Sequence, residues 1–132
     1  MEQLNKLITL ILFDAFAGLL FFGKQPATAV HDPWFEQAVL KCDRPVVVKF
    51  GAEWCGPCRS MDSALDSLES TYSQSARFLR VDIDKKPEIF NAYRSSGGIP
   101  QIMIFRNGEV VALERGFGGQ DNLNSWLASN LK

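Results

Sequence analysis

The sequence predicts an α/β domain in which a central mixed β-sheet is flanked by helices. Along residues 30–132, apolar runs of strand length alternate with segments whose apolar residues recur at helical spacing. Near the end, Asn107-Gly108 separates two apolar runs, which is a strong hairpin signal because both residues tolerate positive φ. Strands that alternate with helices and then form a hairpin favour a sheet covered on both faces. A chain of 132 residues suffices for one such domain with its own core.

The first two elements are predicted from a capping signal and an apolar run. Asp32 and Pro33 provide a side-chain acceptor followed by a first-turn proline, so a short helix is expected to begin here and to reach Lys41. Residues 46–50 are apolar except for Lys49, as in a strand that is covered on both faces.

A longer helix is predicted over residues 58–72, where the apolar residues lie at helical spacing: Met61, Leu65, Leu68 and Tyr72. Cys55 and Cys58 therefore open a helix, and Pro57 suits its first turn because no N–H partner is lost there. Unpaired backbone N–H groups and the positive end of the helix dipole then favour the thiolate of Cys55.

The second half of the chain continues the alternation. We predict a strand at residues 76–82, a helix at 87–94 and a strand at 101–106, before the hairpin. A closing helix is indicated by one apolar stripe, formed by Leu123, Trp126, Leu127 and Leu131.

The stretch Trp54-Cys55-Gly56-Pro57-Cys58 carries the chemistry. Two thiols separated by two residues can alternate between a dithiol and an intramolecular disulfide, provided that the outer one is exposed and the inner one lies within disulfide reach. A redox enzyme is therefore the leading interpretation.

This stretch, after a buried strand, resembles the active-site sequence of the thioredoxin family. Other motifs follow in the family's order: residues 81–84 resemble the exit of its third strand, 98–100 its cis-proline loop, 105–110 its last hairpin, and Gly116 the glycine of its substrate surface. The resemblance runs from about residue 30 to 131.

The resemblance implies a thiol–disulfide oxidoreductase that reduces protein disulfides without a cofactor. It makes Cys55 the attacking nucleophile and Cys58 the buried resolver. It also implies a docking surface of Trp54, Gly56, Pro57, Ile99, Pro100 and Gly116, with a cis Pro100 that leaves the Ile99 backbone free to pair with an extended substrate.

The expected partners are protein disulfides and an upstream thiol reductant, either a reductase or a membrane electron donor. Gly56-Pro57 between the cysteines resembles the reducing members of the family. Two alternatives remain open at this point. One is a disulfide oxidase or isomerase of an oxidising compartment, and the other is a non-catalytic binding module with the same fold.

Several residues depart from the family pattern near the cysteines. Lys49 stands where most members have a buried aspartate, and Arg80 stands where the partner lysine is usual. Two buried cations would need a counter-charge, which Glu53 or Asp82 could supply. Lys49 could instead extend its aliphatic stem so that the ammonium reaches water. We therefore expect Lys49, Glu53, Gly56 and Pro57 to tune the redox chemistry.

Smaller departures surround the expected docking surface. Gln101 follows Pro100 where threonine is usual, Gly51 replaces a tryptophan, and Ser63 replaces the proline that kinks the active-site helix. The loop before Pro100 is also one residue longer.

Residues 1–29 form a separate region in sequence terms. Residues 7–23 are apolar except for Thr9 and Asp14, follow Lys6 and lead to a small-x-small exit that ends at Ala29. This pattern predicts a signal peptide or an uncleaved anchor, with membrane contact through residues 7–23; an extra N-terminal helix is the alternative. A periplasmic or membrane-associated location is expected, and a cytoplasmic one is the alternative.

Charge and cysteine content bound the remaining classes. The formal net charge is −1 and the basic residues are scattered, so nucleic acid is not an expected partner. A zinc site is not expected, because it needs four ligands and only Cys42 and His31 remain beside the pair. Cys42 is expected to be a small, partly buried packing residue.

Overall fold

The computed structural model describes residues 30–132, so the predicted signal peptide, anchor or extra helix at residues 1–29 lies outside it. The elements in chain order are α1 (Pro33–Phe35, continued by the π-helical turn Glu36–Leu40), β1 (Val46–Gly51), α2 (Gly56–Tyr72), β2 (Arg77–Asp82), α3 (Pro87–Tyr93), β3 (Gln101–Arg106), β4 (Glu109–Arg115) and α4 (Gln120–Asn130). Within the described range, no helix is both long and apolar enough to span a bilayer.

The four strands form one mixed sheet in the order β2-β1-β3-β4, which confirms the predicted fold class. β1 runs parallel to β2 and antiparallel to β3, and β3 and β4 form an antiparallel hairpin. Every residue of β1 is buried, as its apolar sequence predicts for a central strand. The hairpin turns at Asn107 and Gly108, which have φ values of 51° and 79°.

Each face of the sheet carries its own core. Val47, Ile102 and Ile104 point towards α2 and α4, where they pack with residues such as Leu65 and Leu127. Their neighbours along the strands face the other way, because successive side chains of a strand point to opposite faces. That second core contains α1 and α3, and its large members are Phe35, Phe50, Ile89 and Phe105.

Element boundaries differ from the sequence-based ones by one or two residues. α2 begins at Gly56 because Cys55 adopts the extended backbone of a helix cap. α3 ends at Tyr93 because Arg94 is extended, with ψ of 137°. The first helix is capped by Asp32 as predicted, since Oδ1 accepts a 2.8 Å hydrogen bond from the N–H of Phe35. It then widens into a π-helical turn, which the sequence pattern did not predict. Cys42 is half-buried against the second core.

Candidate active site

A disulfide joins Cys55 and Cys58 at the N-terminus of α2, with the two Cα atoms 5.2 Å apart. Cys55 is the helix cap, and its Sγ accepts a 3.3 Å hydrogen bond from the backbone N–H of Cys58. Gly56 and Pro57 form the start of the first turn, where the missing N–H of proline costs no hydrogen bond. The cysteine sulfur thus takes the place that a serine or aspartate oxygen fills in other helix caps.

The two cysteines differ in access. Cys58 is fully buried, whereas Cys55 keeps 7% of its surface exposed. Cys55 is less exposed than we expected of the outer thiol, because both cysteines pack with Ala52 and are covered by Ile83 and Ile99. The exposed surface of the pair therefore belongs to Cys55.

Trp54 lies at the open side of the disulfide and is 68% exposed. Its indole Nε1 donates a 2.8 Å hydrogen bond to Oδ2 of Asp84, so the ring is held in place although most of it faces solvent. Asp84 itself is fixed by an Asx-type contact, since its N–H donates to Asp82 Oδ1 at 2.9 Å. Asp84 ends the stretch 81–84 that resembles the family's strand exit, but its contact with Trp54 was not predicted from the sequence.

The loop that precedes β3 packs on the cysteine pair. The Ile99–Pro100 peptide bond is cis, and the Ile99 side chain packs on the cysteine cluster. The carbonyl of Pro100 accepts a 2.9 Å hydrogen bond from the N–H of Gly116, which ties the loop to the end of β4. Gly116 has φ of +73°, a conformation that favours glycine, and no atom lies within 4 Å of the position that a Cβ would take.

Gln101 anchors this loop from inside the protein. Its side chain is fully buried, and its Oε1 accepts 2.8 Å hydrogen bonds from both the N–H and the hydroxyl of Ser95. Its Nε2 donates to the carbonyl of Tyr93 at 2.9 Å, and Arg115 Nε donates to Ser95 Oγ at 2.8 Å. Gln101 was recognised from the sequence as a departure from the family pattern, but its anchoring of the loop was not predicted. The longer loop that precedes Pro100 was the available signal.

Lys49 lies beneath the disulfide. It shares a sheet face with Val47, and that face is covered by α2, so the lysine side chain is only 5% exposed. Its Nζ forms a 2.7 Å ion pair with Oδ1 of Asp62 on α2. The outward orientation that we considered is thus wrong, and so is the expected counter-charge from Glu53 or Asp82. Glu53 instead contributes its backbone carbonyl, which accepts a 2.7 Å hydrogen bond from Arg59.

Arg80 extends the ion pair into a cluster. It is the register partner of Lys49 on β2, and its Nε lies 3.2 Å from the same Asp62 oxygen. Its two terminal nitrogens bind Asp66 at 2.7 Å and Glu69 at 2.6 Å. Burial alone would lower the pKa of Arg80, but the carboxylates of Glu69, Asp66 and Asp62 outweigh burial and raise it. Both cations therefore have carboxylate partners from α2.

Gly51 has no side chain, and this allows Lys49 and Cys58 to approach each other. A Cβ added to Gly51 would lie 2.7 Å from Lys49 Nζ and 3.2 Å from Cys58 Sγ, so the ammonium and the resolving sulfur face each other across this position. A cavity of about 270 Å³ opens here, and Lys49, Gly51, Asp62 and Arg80 are among the residues that line it. Over residues 30–132, no cluster of three or more histidine, cysteine or acidic side chains is suited to hold a metal ion.

Known proteins resemble this chain along most of its length. The family model for thioredoxin matches residues 26–129. The thioredoxin of Rickettsia bellii is 36% identical over 105 residues, which are 80% of this chain and 99% of that protein. The thioredoxin of Rhodospirillum rubrum is 37% identical over 102 residues (77% and 97%), and that of Pseudomonas aeruginosa is 36% identical over 102 residues (77% and 94%).

These matches confirm the family that the motifs indicated, and the redox-active pair lies at the start of a helix as that resemblance implied. Thioredoxins use a disulfide in place of a bound cofactor, act on protein disulfides and depend on a reductant partner. The chain belongs to the thioredoxin family and is a thiol–disulfide oxidoreductase.

Proposed function

We propose that this protein reduces the disulfides of other proteins, with Cys55 as the attacking sulfur and Cys58 as the resolving one. The observation that carries the proposal is the difference in access, since Cys55 alone keeps an exposed edge while Cys58 is fully buried. Cys55 also caps α2, so the helix dipole and the first-turn N–H groups stabilise its thiolate once the pair is reduced.

The reaction transfers two electrons in two exchanges. The Cys55 thiolate attacks one sulfur of the substrate disulfide; that S–S bond breaks, one substrate thiolate leaves, and a mixed disulfide forms. Cys58 then loses its proton and attacks Cys55 Sγ, which releases the second substrate thiolate and leaves the Cys55–Cys58 disulfide. An upstream thiol reductant supplies the two electrons that restore the dithiol.

The substrate would dock between Trp54 and the Ile99–Pro100 loop. Ile99 packs on the cysteine cluster, so its backbone runs beside the reacting sulfur and can pair with an extended segment by strand addition. The Trp54 ring, held by Asp84, would cover the mixed disulfide from the opposite side. The flat surface at Gly116 leaves room for the continuing substrate chain.

Insulin reduction tests the assignment. The wild-type protein should reduce insulin with dithiothreitol as electron source, Cys55→Ser should be inactive, and Cys58→Ser should stop at a mixed disulfide. Cys42→Ser is the matched control, because that thiol lies away from the pair and should leave the rate unchanged. If wild type and Cys55→Ser are equally inactive, the fold serves as a binding module. If the pair oxidises reduced substrates in preference, the protein is an oxidase or isomerase.

We further propose that Lys49 raises the reduction potential of the pair. A buried ammonium facing Cys58 Sγ across Gly51 stabilises the reduced, ionised form more than the disulfide. About 30 mV corresponds to about 1.4 kcal/mol for this couple, so one partly compensated charge is expected to add on the order of 20 to 60 mV. Lys49→Met should therefore make the protein a stronger reductant. Methionine is preferable to aspartate here, because a carboxylate would face Asp62.

Residues 1–29 bear on the location of the protein and on the class of its electron donor. We propose that this segment directs the protein to the periplasm or holds it at a membrane, where the donor would be a membrane thiol carrier. The apolar run at residues 7–23 and the small-x-small exit at Ala29 support this proposal. The N-terminal residue of the protein, determined from fractionated native cells, decides between the possibilities. A soluble cytoplasmic protein that begins at Met1 would contradict the proposal and favour a soluble reductase as donor.

A further inference from the structure

We infer that Asp62 is a positioning residue that limits how strongly the charge of Lys49 acts on Cys58. This inference rests on the proposed function, because it concerns the resolving step of the same reaction. It assigns a role in the redox chemistry to a side chain of α2 whose ion pairs go to Lys49 and Arg80.

Asp62 is placed for this role by helix geometry. It follows Cys58 by four residues on α2, so both side chains lie on the same face of the helix, one turn apart. That face covers Lys49, whose Nζ reaches Asp62 Oδ1 at 2.7 Å. The lysine ammonium is thus held between a carboxylate on one side and the sulfur of Cys58 on the other, and the missing side chain of Gly51 lets the ammonium and the sulfur come close to each other.

The same Asp62 oxygen also receives Arg80 Nε at 3.2 Å, so two cations share one carboxylate. Arg80 is in turn held by Asp66 and Glu69, which lie four and seven residues further along α2. The cluster therefore grades from the buried Lys49 to Asp66, whose side chain is 73% exposed. Electrostatic interactions weaken in the same direction, because water screens the outer groups.

Opposite signs follow for the two inner residues. Lys49 favours the Cys58 thiolate, and the carboxylate of Asp62 offsets part of that effect. Asp62→Asn keeps an oxygen that can accept the lysine hydrogen bond but removes the negative charge, so Lys49 should act more strongly on Cys58. Lys49→Met removes the ammonium and leaves the carboxylate uncompensated on that side. If the Lys49–Asp62 ion pair served only to join α2 to the sheet, both substitutions would change the free energy of unfolding. Neither substitution would then change the redox equilibrium.

In this arrangement Cys58 gives up its proton to solvent, and the nearby ammonium of Lys49 stabilises the thiolate that remains. Cys58 then attacks Cys55 Sγ, the bond to the substrate sulfur breaks, and the substrate thiolate leaves. Lys49 remains an ammonium throughout, and its role is to favour the thiolate.

The test measures the equilibrium constant of the dithiol–disulfide pair against glutathione, together with the pH dependence of mixed-disulfide resolution. We expect Asp62→Asn to shift the equilibrium about three- to tenfold towards the dithiol. Lys49→Met should shift it about five- to a hundredfold towards the disulfide, the factor that corresponds to the 20 to 60 mV proposed for the ammonium. As the pH is lowered, the rate of mixed-disulfide resolution should stay high to a lower pH in Asp62→Asn than in wild type. In Lys49→Met the rate should already begin to fall at a higher pH than in wild type. Asp62→Glu, which keeps the charge, should lie near wild type.

Asp66→Asn is the matched control, because it removes the same group one turn further along α2, where solvent screens it, and should shift the equilibrium less than about twofold. The inference is overturned if Asp62→Asn leaves the equilibrium and the pH profile unchanged, or if it shifts them in the same direction as Lys49→Met. Urea unfolding of each variant separates these outcomes from a loss of structure. Insulin reduction by wild type is measured in parallel, so a failure of the proposed function would be seen separately.

Discussion

The two sides of the Cys55–Cys58 disulfide carry different kinds of chemical group. The side at which we propose that a substrate docks consists of the Trp54 ring, the backbone of Ile99 and the bare surface at Gly116. The underside consists of charged groups, with Lys49 and Asp62 closest to the sulfur atoms. The first side follows the family pattern, and the second departs from it.

Because the two sides differ, substrate docking and the reduction potential of the pair depend on different residues. Under the proposed function the substrate side would pair with the backbone of other proteins, so its requirements would be set by the substrates. The underside contacts only this protein's own strands and α2, so its charges can change without disturbing docking. A buried cation can replace the usual acid because Asp62 supplies the compensating charge from the helix.

The largest effect is expected from Cys58→Ser, which removes the resolving sulfur that lies between the two sides. Without the resolving sulfur, turnover of a protein disulfide should fall by at least about a hundredfold, because the mixed disulfide with Cys55 cannot be released. Non-reducing electrophoresis and mass spectrometry should show the covalent complex through Cys55. Rapid turnover, or a complex through Cys42, would contradict the assignment.

Gly116→Val should damage the substrate side alone. A β-branched residue at φ of +73° is strained by about 1–2 kcal/mol, and its side chain would stand in the path of the docked segment. We expect kcat/KM for insulin to fall about tenfold while the redox equilibrium with glutathione stays at the wild-type value. A changed equilibrium with normal insulin kinetics would mean that the two sides are not separable in this way.

Gly51→Ala should damage the underside alone. The new methyl group would lie 2.7 Å from Lys49 Nζ and 3.1 Å from Cys58 Cβ, so the flexible ammonium must move away from the sulfur. We expect a loss of about 1–3 kcal/mol in unfolding free energy and a shift of the glutathione equilibrium towards the disulfide. The KM for insulin should be unchanged. An equilibrium equal to that of wild type would show that Lys49 does not act across this space.

The smallest effect on redox chemistry is expected at Asp32, a buried carboxylate that pairs with Lys86. The hydrogen bond from Lys86, and after it the N–H of Phe35, lower the pKa of Asp32 below its usual 3.8. Ionised Asp32 therefore stabilises the fold above about pH 4, and this stabilisation is lost as the pH falls through the lowered folded-state pKa.

Asp32→Asn removes this dependence. Urea unfolding should show wild type more stable than Asp32→Asn at neutral pH, with the difference vanishing in acid. The glutathione equilibrium should be equal in the two proteins, because Asp32 caps α1 on the opposite face of the sheet from Lys49. A shifted equilibrium would break the link between redox poise and the cluster beneath Cys58.

The strands, the order of the helices and the reacting pair could be predicted from the sequence because each depends on local signals. The run 46–50, the Asn107-Gly108 turn and the spacing of Cys55 and Cys58 all encode their structure within a few residues. The widened turn of α1 could not be predicted, since π-helical geometry leaves no clear pattern in five residues.

Asp62 could not be predicted as the counter-charge of Lys49 from the sequence, for another reason. Glu53 and Asp82 are near it along the chain or at the end of the paired strand, whereas Asp62 reaches it from α2 across the layer boundary. Only the packing angle and rotation of the helix decide which of its acids meets the strand. The anchoring by Gln101 depends in the same way on a loop conformation that no periodicity describes.

The buried carboxamide of Gln101 also bears on the thermodynamics of substrate capture. The segment before Pro100 contains Gly97 and Gly98, both at positive φ, and such a segment would lose much conformational freedom if it became ordered only on binding. Ser95 and Tyr93 are already hydrogen-bonded to Gln101 in the free protein. The loop therefore loses its conformational entropy during folding and not each time a substrate binds. The enthalpy and entropy of complex formation should then report the immobilisation of the substrate and not that of the loop.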